Sequence, residues 1–229
     1  VMETADDSAL FQSWGSITII NPLEKIWNGY SDTRMGASMD SYLNGYNDPR
    51  LPVYFQPVTE GDNKGEYRGV ANGMPNPQQD DYKAMSAPNV QEKSTDSPLR
   101  WMMASEVAFL RAEGAMRGWT AEMGGTAEEF YNKGIELSFL ENGLSADAAA
   151  RYAADETSKP TDFTDVSTAN TKYNISALGK ITIKWNAGAS EEEQLERIIT
   201  QKWIAMFPNG TEAWSEFRRT GYPLIFPVR

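Results

Sequence analysis

The sequence predicts a mainly α protein: a helix-hairpin scaffold that carries long irregular loops and a few short strands. Three observations support this. Two capped amphipathic segments, "ASEVAFLRAEGAMRGW" and "TAEEFYNKGIELSFLENG", follow one another across a short loop. A third, "SEEEQLERIITQKWIAMF", carries the clearest apolar stripe in the chain. By contrast, the first 100 residues hold most of the Gly, Pro, Asn and Asp density, which marks turns and loops.

Taken in order, the run "ITII" (Ile17 to Ile20) is short and apolar, and a helix is expected from Asp32 to Leu43, where Met35, Met39 and Leu43 recur every fourth residue. The tripeptide Asp48-Pro49-Arg50 reads as a rigid turn in which the Asp caps backbone and the Arg pairs nearby. From Ala104 to about Arg117 a helix is expected, ended by Gly118. Val107 and Leu110 are its large core candidates, and Ala108, Ala112 and Ala115 form a small-residue face that lets a neighbour approach. Thr126 and Glu129 have capping-box spacing and open a second helix that runs to about Glu141, where Asn142-Gly143 stops it. Phe130, Ile135 and Leu137 to Leu140 supply its apolar contacts. The pair has the length of one tetratricopeptide-like hairpin; only one copy is clear, so a repeat array is not expected.

Residues 155 to 175 return to polar loop. "KITIKWN" then alternates Ile181, Ile183 and Trp185 against Thr182 and Lys184, as a half-buried strand would. Ser190 and Glu193 suggest another capping box, ahead of a helix bearing Leu195, Ile198, Ile199, Trp203, Met206 and Phe207. A last short helix is expected near Thr211, with Trp214 and Phe217 facing inward and Arg218 and Arg219 near its C-terminus. There the two cations offset the helix dipole and can pair with carboxylates. Trp119, Trp185, Trp203 and Trp214 all read as core, whereas Trp14, Trp27 and Trp101 fit either core or surface.

Composition excludes several function classes. With 21 basic and 32 acidic residues the formal charge is −11, which argues against nucleic-acid binding, since that rests on neutralising phosphates. The chain has no His and no Cys, so metal sites built on them, Ser-His and Cys-His catalysis, and disulfides are all absent. No cofactor is expected. "EGDNKGE" (Glu60 to Glu66) comes nearest to a calcium loop, but it lacks the D-x-[DN]-x-[DN]-G pattern and fits a solvated turn at least as well. No apolar run reaches the 18 residues of a membrane span, and the opening "VMETADDSAL" is not a signal peptide. The sequence begins with Val1 and not with Met, so we expect either a trimmed chain or the later part of a longer protein.

Several longer segments occur in a telling order. These are "NPLEKIWNGYSDTRMGASMDSYLNGYNDPRLPVYF" (Asn21 to Phe55), "EYRGVANG" (Glu66 to Gly73), "MASEVAFLRAEGAMRGW" (Met103 to Trp119) and "EEFYNKGIELSF" (Glu128 to Phe139), completed by "ITQKWIAMFPNGTEAWSEFRRTGYP" (Ile199 to Pro223). Together they resemble the SusD/RagB-like family, surface lipoproteins that capture nutrients for outer-membrane transporters of Bacteroidetes. Within it the likeness is to the branch described as starch-binding associating with outer membrane. The resemblance implies a SusD-like fold, partial here. Residues 1–100 would form a loop-rich, ligand-facing region and residues 101–229 a helical scaffold. It implies a non-enzymatic role: holding an oligosaccharide, or in some members a peptide, over a SusC-like TonB-dependent transporter. It also implies a place on the cell surface at the outer membrane, attached through a lipid anchor that this chain does not carry.

Sugar rings present apolar C–H faces and a fringe of hydroxyls, so their recognition calls for aromatic platforms beside Asn, Gln, Asp or Arg. The stretch from Pro52 to Ser97 has that mixture. Tyr67, Tyr82 and Tyr54 are the candidate platforms, and Arg68, Asn72 and Asn76 the candidate hydrogen-bonding partners. The competing reading has these tyrosines pinning a long loop to the helices. Catalysis is not expected: the paired acids, such as Glu128-Glu129 and Glu191 to Glu193, sit at helix N-termini, where they serve the dipole. A helical adaptor that binds only protein would call for more hairpin copies and an aromatic-poor loop region.

Overall fold

A computed structural model describes residues 1–14, 17–19, 21–74, 81–89 and 97–228. Ala9–Phe11 (β1) and Leu99–Met102 (β2) pair as a two-stranded sheet. The chain divides into two compact units, each assembled from distant parts of the sequence.

One unit comprises Phe11–Leu99, Lys159–Lys180 and Ile225–Arg229. Its helices are short: α1 (Pro22–Glu24), α2 (Ala37–Gly45) and α3 (Leu51–Tyr54). The sequence of α2, "ASMDSYLNG", is rich in residues that form helices poorly, so tertiary contacts must hold it. Its polar side chains serve as brackets for neighbouring chain. The Ser41 hydroxyl donates to the Thr161 carbonyl at 2.5 Å, and the Thr161 N–H donates to the Ser41 carbonyl at 3.0 Å. The helix begins at Ala37 rather than Asp32 because the backbone ahead of it is otherwise engaged. The Met35 N–H donates to Ser86, and the Ala37 N–H to Val70. The Asp-Pro-Arg turn is as expected, with the buried Arg50 guanidinium forked onto Asp48 at 2.9 and 2.6 Å. Ala37, Ala71, Phe163, Tyr173 and Phe226 form an apolar cluster in this unit.

The other unit comprises Val1–Leu10, Arg100–Ser158 and Ile181–Leu224. It holds α4 (Ala104–Met116), α5 (Thr120–Met123), α6 (Ala127–Glu141), α7 (Ala146–Ala153), α8 (Glu191–Ala205) and α9 (Gly210–Thr220). The expected hairpin is α4 with α6. The Thr126–Glu129 capping box forms in both directions, and Ala108, Ala112 and Ala115 are buried. Close approach is fixed by Gly134, where a Cβ would lie 2.7 Å from the Phe109 ring. Phe109, rather than Leu110, is the large core residue of α4, and Leu110 is exposed.

Three further expectations are corrected. "KITIKWN" is not a strand. Ile181, Ile183 and Trp185 are buried as the alternation predicts, but the backbone polar groups find partners outside any ladder. Tyr131 donates its hydroxyl to the Ile183 carbonyl, Lys184 N–H donates to Asp155 at 2.8 Å, and Arg197 donates to the Lys184 carbonyl at 3.1 Å. Trp214 is 56% exposed and stacks on Phe217 with centroids 5.6 Å apart. The face that α9 buries is its charged one, through Glu216, so Trp214 turns outward while Phe217 stays half-buried. Trp119 is likewise exposed.

Candidate functional site

The sequence segment Tyr67-Arg68-Gly69 is fixed from both sides. Asp40 of α2 accepts the Gly69 N–H at 2.6 Å through one carboxylate oxygen and the Asn44 amide at 2.7 Å through the other. The same Asn44 amide donates to the Tyr67 carbonyl at 2.9 Å. On the far side, the Arg68 N–H donates to the Ser86 hydroxyl at 3.0 Å, and the Ser86 N–H donates to the Arg68 carbonyl at 2.8 Å. The spacing Asp40–Asn44 is one helical turn, which puts both brackets on one face. Contact is so close at Gly69 that a Cβ would stand 2.9 Å from the Asp40 Cβ and 3.0 Å from the Gly36 backbone.

This bracketed segment forms one wall of a pocket of about 350 Å³, with Tyr67, Arg68 and Glu66 on that side. Asp40 and Asn44 line it from α2, and Thr161, Asp162 and Thr164 line it from the returning segment. The Arg68 guanidinium donates to the Thr164 carbonyl at 2.6 Å and lies 3.6 Å from Glu66. Its Nε–H is buried without a partner, so the guanidinium is incompletely paired. Asp162 accepts the Ala177 N–H at 2.8 Å, which steadies the returning segment. Burial pushes the Asp40 carboxyl above its usual range, against the pull of the Gly69 and Asn44 bonds.

The pocket brings together two of the sequence candidates, Tyr67 and Arg68. Tyr54 lies in the core at 2% exposure and has no ring face to offer a ligand. Its position on α3 packs it inward. Asn72 is exposed and borders Tyr173 and Phe226 rather than this pocket. Asn76 lies outside the described residues. Tyr82 falls on the turn Asp81–Ala84, and its side chain is also outside the description. Sequence reasoning missed Asp40, Asn44, Thr161, Asp162 and Thr164. The Asp40–Asn44 spacing could have flagged a polar helix face, but nothing in the sequence ties residues 161–164 to residues 66–68.

A family model described as SusD-like, Susd and RagB outer membrane lipoprotein, matches residues 1–229. The chain belongs to the SusD-like family. Solved structures agree. A SusD homologue from Bacteroides thetaiotaomicron is 44% identical with a TM-score of 0.87, over 100% of this chain and 46% of that one. A chitin-binding SusD homologue from Flavobacterium johnsoniae is 42% identical with a TM-score of 0.88, over 100% of this chain and 45% of that one. A SusD homologue from Bacteroides vulgatus is 36% identical with a TM-score of 0.88, over 100% and 45% respectively. The chain therefore spans less than half the length of these SusD-like relatives. No curated protein matches it. The mainly helical SusD-like fold expected from sequence is the one observed, and the family is described as one of outer membrane lipoproteins.

Proposed function

We propose that this chain is the ligand-holding part of a non-catalytic capture protein at the outer-membrane surface. It holds an oligosaccharide and delivers it to a TonB-dependent transporter. The observation that carries this reading is the open, polar pocket at Tyr67 and Arg68, in a chain 42% identical to a chitin-binding SusD homologue. Tyr67 offers a ring beside the apolar face of a sugar, while Arg68, Asn44, Thr161 and Asp162 offer donors and acceptors to its hydroxyls. The bracketing by Asp40 and Ser86 holds this wall in place before ligand arrives, which lowers the ordering cost of binding. In this reading the ligand-facing region is Phe11–Leu99 joined by Thr161 to Thr164, and the α4–α9 unit, which includes Val1–Leu10, is the scaffold.

The test is calorimetric titration of the 229-residue chain against a glycan panel, with peptides as the comparison arm. Binding of a glycan that falls at least about tenfold in Tyr67→Ala and Arg68→Ala, with unchanged melting, is the expected result. Binding by peptides alone would replace the oligosaccharide reading with the peptide one. Affinity untouched by either substitution would remove the pocket from the account.

A further inference from the structure

We infer that the pocket admits sugar rings that are uncharged or carry an ammonium group and turns away rings that carry a carboxylate or sulfate, because Asp40, Glu66 and Asp162 line it against the single guanidinium of Arg68. The inference rests on the capture reading above and names the ligand class of that same site. Three features point the same way.

First, the cation is only partly open: its unpaired Nε–H is buried, and its terminal nitrogens face neighbours. Recognition of a carboxylate or sulfate usually uses an Arg whose fork is open to take two oxygens at once. Arg68 has one guanidinium nitrogen committed to the Thr164 carbonyl at 2.6 Å and another facing the Glu66 carboxylate at 3.6 Å. An incoming anion would approach the guanidinium beside the Glu66 carboxylate, which repels it. A hydroxyl or an acetamido carbonyl asks less, because a single N–H suffices for it.

Second, Asp40 is engaged within the wall, while Glu66 and Asp162 stay available as acceptors. Both Asp40 oxygens take N–H donors, from Gly69 and Asn44, an arrangement that suits a carboxylate. Glu66 is mostly solvent-facing, and Asp162 is exposed. Carboxylates of this kind accept readily from sugar hydroxyls or from an ammonium. Toward a second carboxylate a few ångströms away they are repulsive, by an amount that amounts to about tenfold or more in affinity at low salt.

Third, the rest of the chain adds to the local field. A formal charge of −11 lowers the local concentration of any anionic ligand, and salt screens that effect.

The experiment compares three trisaccharide probes on the 229-residue chain by calorimetry: a trimer of N-acetylglucosamine, a trimer of glucosamine and a trimer of galacturonate. Each is titrated at low salt and at about 0.5 M salt, where the field of the exposed charges is strongly screened. The expected result is binding of the first two, with galacturonate at least about tenfold weaker at low salt. That gap should narrow at high salt and in the double variant Glu66→Gln with Asp162→Asn. The variant spares Asp40, and the Asn keeps an acceptor for the Ala177 N–H. Galacturonate binding as tightly as the neutral trimer, with Tyr67→Ala abolishing both, would overturn the charge selection and leave capture standing. A gap unchanged by the double variant would also overturn it, by locating the discrimination elsewhere. Binding of none of the three probes would count against the capture reading and this inference together.

Discussion

The Arg219 guanidinium of α9 forks onto the Glu113 carboxylate of α4 at 2.7 and 2.6 Å. It also donates to Glu216 of its own helix at 2.6 Å, while Arg117 donates to Glu113 from the other side at 2.7 Å. Bidentate Arg–carboxylate pairs are among the stronger polar contacts, and this one joins elements 106 residues apart. The bonds from Glu113 and Glu216 hold the Arg219 guanidinium firmly protonated, above its already high usual value. Because the Arg219 side chain is 43% exposed, the pair is worth the lower part of the range for charged hydrogen bonds. Arg219→Ala should cost about 2 kcal/mol and lower Tm by roughly 5 °C. Glycan affinity at 25 °C should not change, because the pocket is built from other elements. Differential scanning calorimetry and isothermal titration on the same preparation check both halves, and lost affinity with unchanged Tm would contradict this assignment.

How much of this was legible in the sequence depends on the range of the contact. The α4–α6 hairpin, its capping box and the Asp48–Arg50 turn are local, and each is written in residues a few positions apart. Arg219 near a helix C-terminus announced a carboxylate partner, but not that it would be Glu113. The failures share a cause. Trp214 and Phe217 have the spacing of an inward face, yet Glu216 on the same helix reaches Lys202, and Trp214 turns out while Phe217 stays half-buried. The segment Ile181 to Trp185 alternates like a strand, yet side chains and a loop carbonyl satisfy its backbone in place of a ladder. Tyr54 and Tyr67 are the same residue type in one loop-rich stretch, and only the fold tells core from pocket wall. The pocket itself needs Thr161 and Thr164 beside Arg68, a pairing across 96 residues that no local pattern encodes.

Asp155 gives a pH prediction. Slight burial acts to raise its carboxyl, but Ser158 and Thr157 each donate a backbone and a hydroxyl hydrogen, and these bring it down from 3.8 to about 2. A depressed carboxyl stabilises the fold above its unfolded value and loses that contribution as pH falls through its folded value. The window is therefore from about pH 4 down to about pH 2. Asp155→Asn should lower Tm at pH 7, and the gap from wild type should close steadily across that window. A gap that stayed constant down to pH 2 would show that the hydrogen bonds matter without the charge.

Gly69 tests the pocket wall. An added Cβ meets backbone and a main-chain-bound carbon of Asp40, neither of which can yield cheaply. Gly69→Ala should destabilise by about 1–3 kcal/mol, and it should weaken glycan binding by displacing Tyr67 and Arg68. Gly65 supplies the control: its φ is +92°, with nothing within 4 Å of an added Cβ, so Ala there costs only backbone strain. Binding by Gly65→Ala should match wild type once melting is accounted for. Equal losses of affinity in the two variants would mean that the loop as a whole, and not its contact with α2, shapes the site.

Lys202 of α8 is 1% exposed and lies among three carboxylates, 2.7 Å from Glu216, 3.5 Å from Glu212 and 3.9 Å from Glu106. Burial already pushes the Glu106 carboxyl above its usual range, and Lys202 is the main influence pulling it back. Lys202→Met keeps the buried stem but leaves Glu106 and Glu216 facing one another with no amine between them. Removing one partner of a buried pair costs about 3–5 kcal/mol, mostly as the penalty on the charges left behind. The charge left on Glu106 can be relieved by protonation, so its carboxyl, already raised by burial, should rise further in the variant. A raised carboxyl binds its proton more tightly in the folded state, and the fold loses stability as pH climbs through that value. The Tm deficit of Lys202→Met should therefore be larger at pH 8 than at pH 5. Adding Glu216→Gln to it should recover part of the deficit at pH 8 and little at pH 5. Thermal melts of the four proteins of this cycle at the two pH values decide the matter. A deficit independent of pH would mean that Lys202 acts through packing of its stem, because an uncompensated carboxylate cannot be indifferent to protonation.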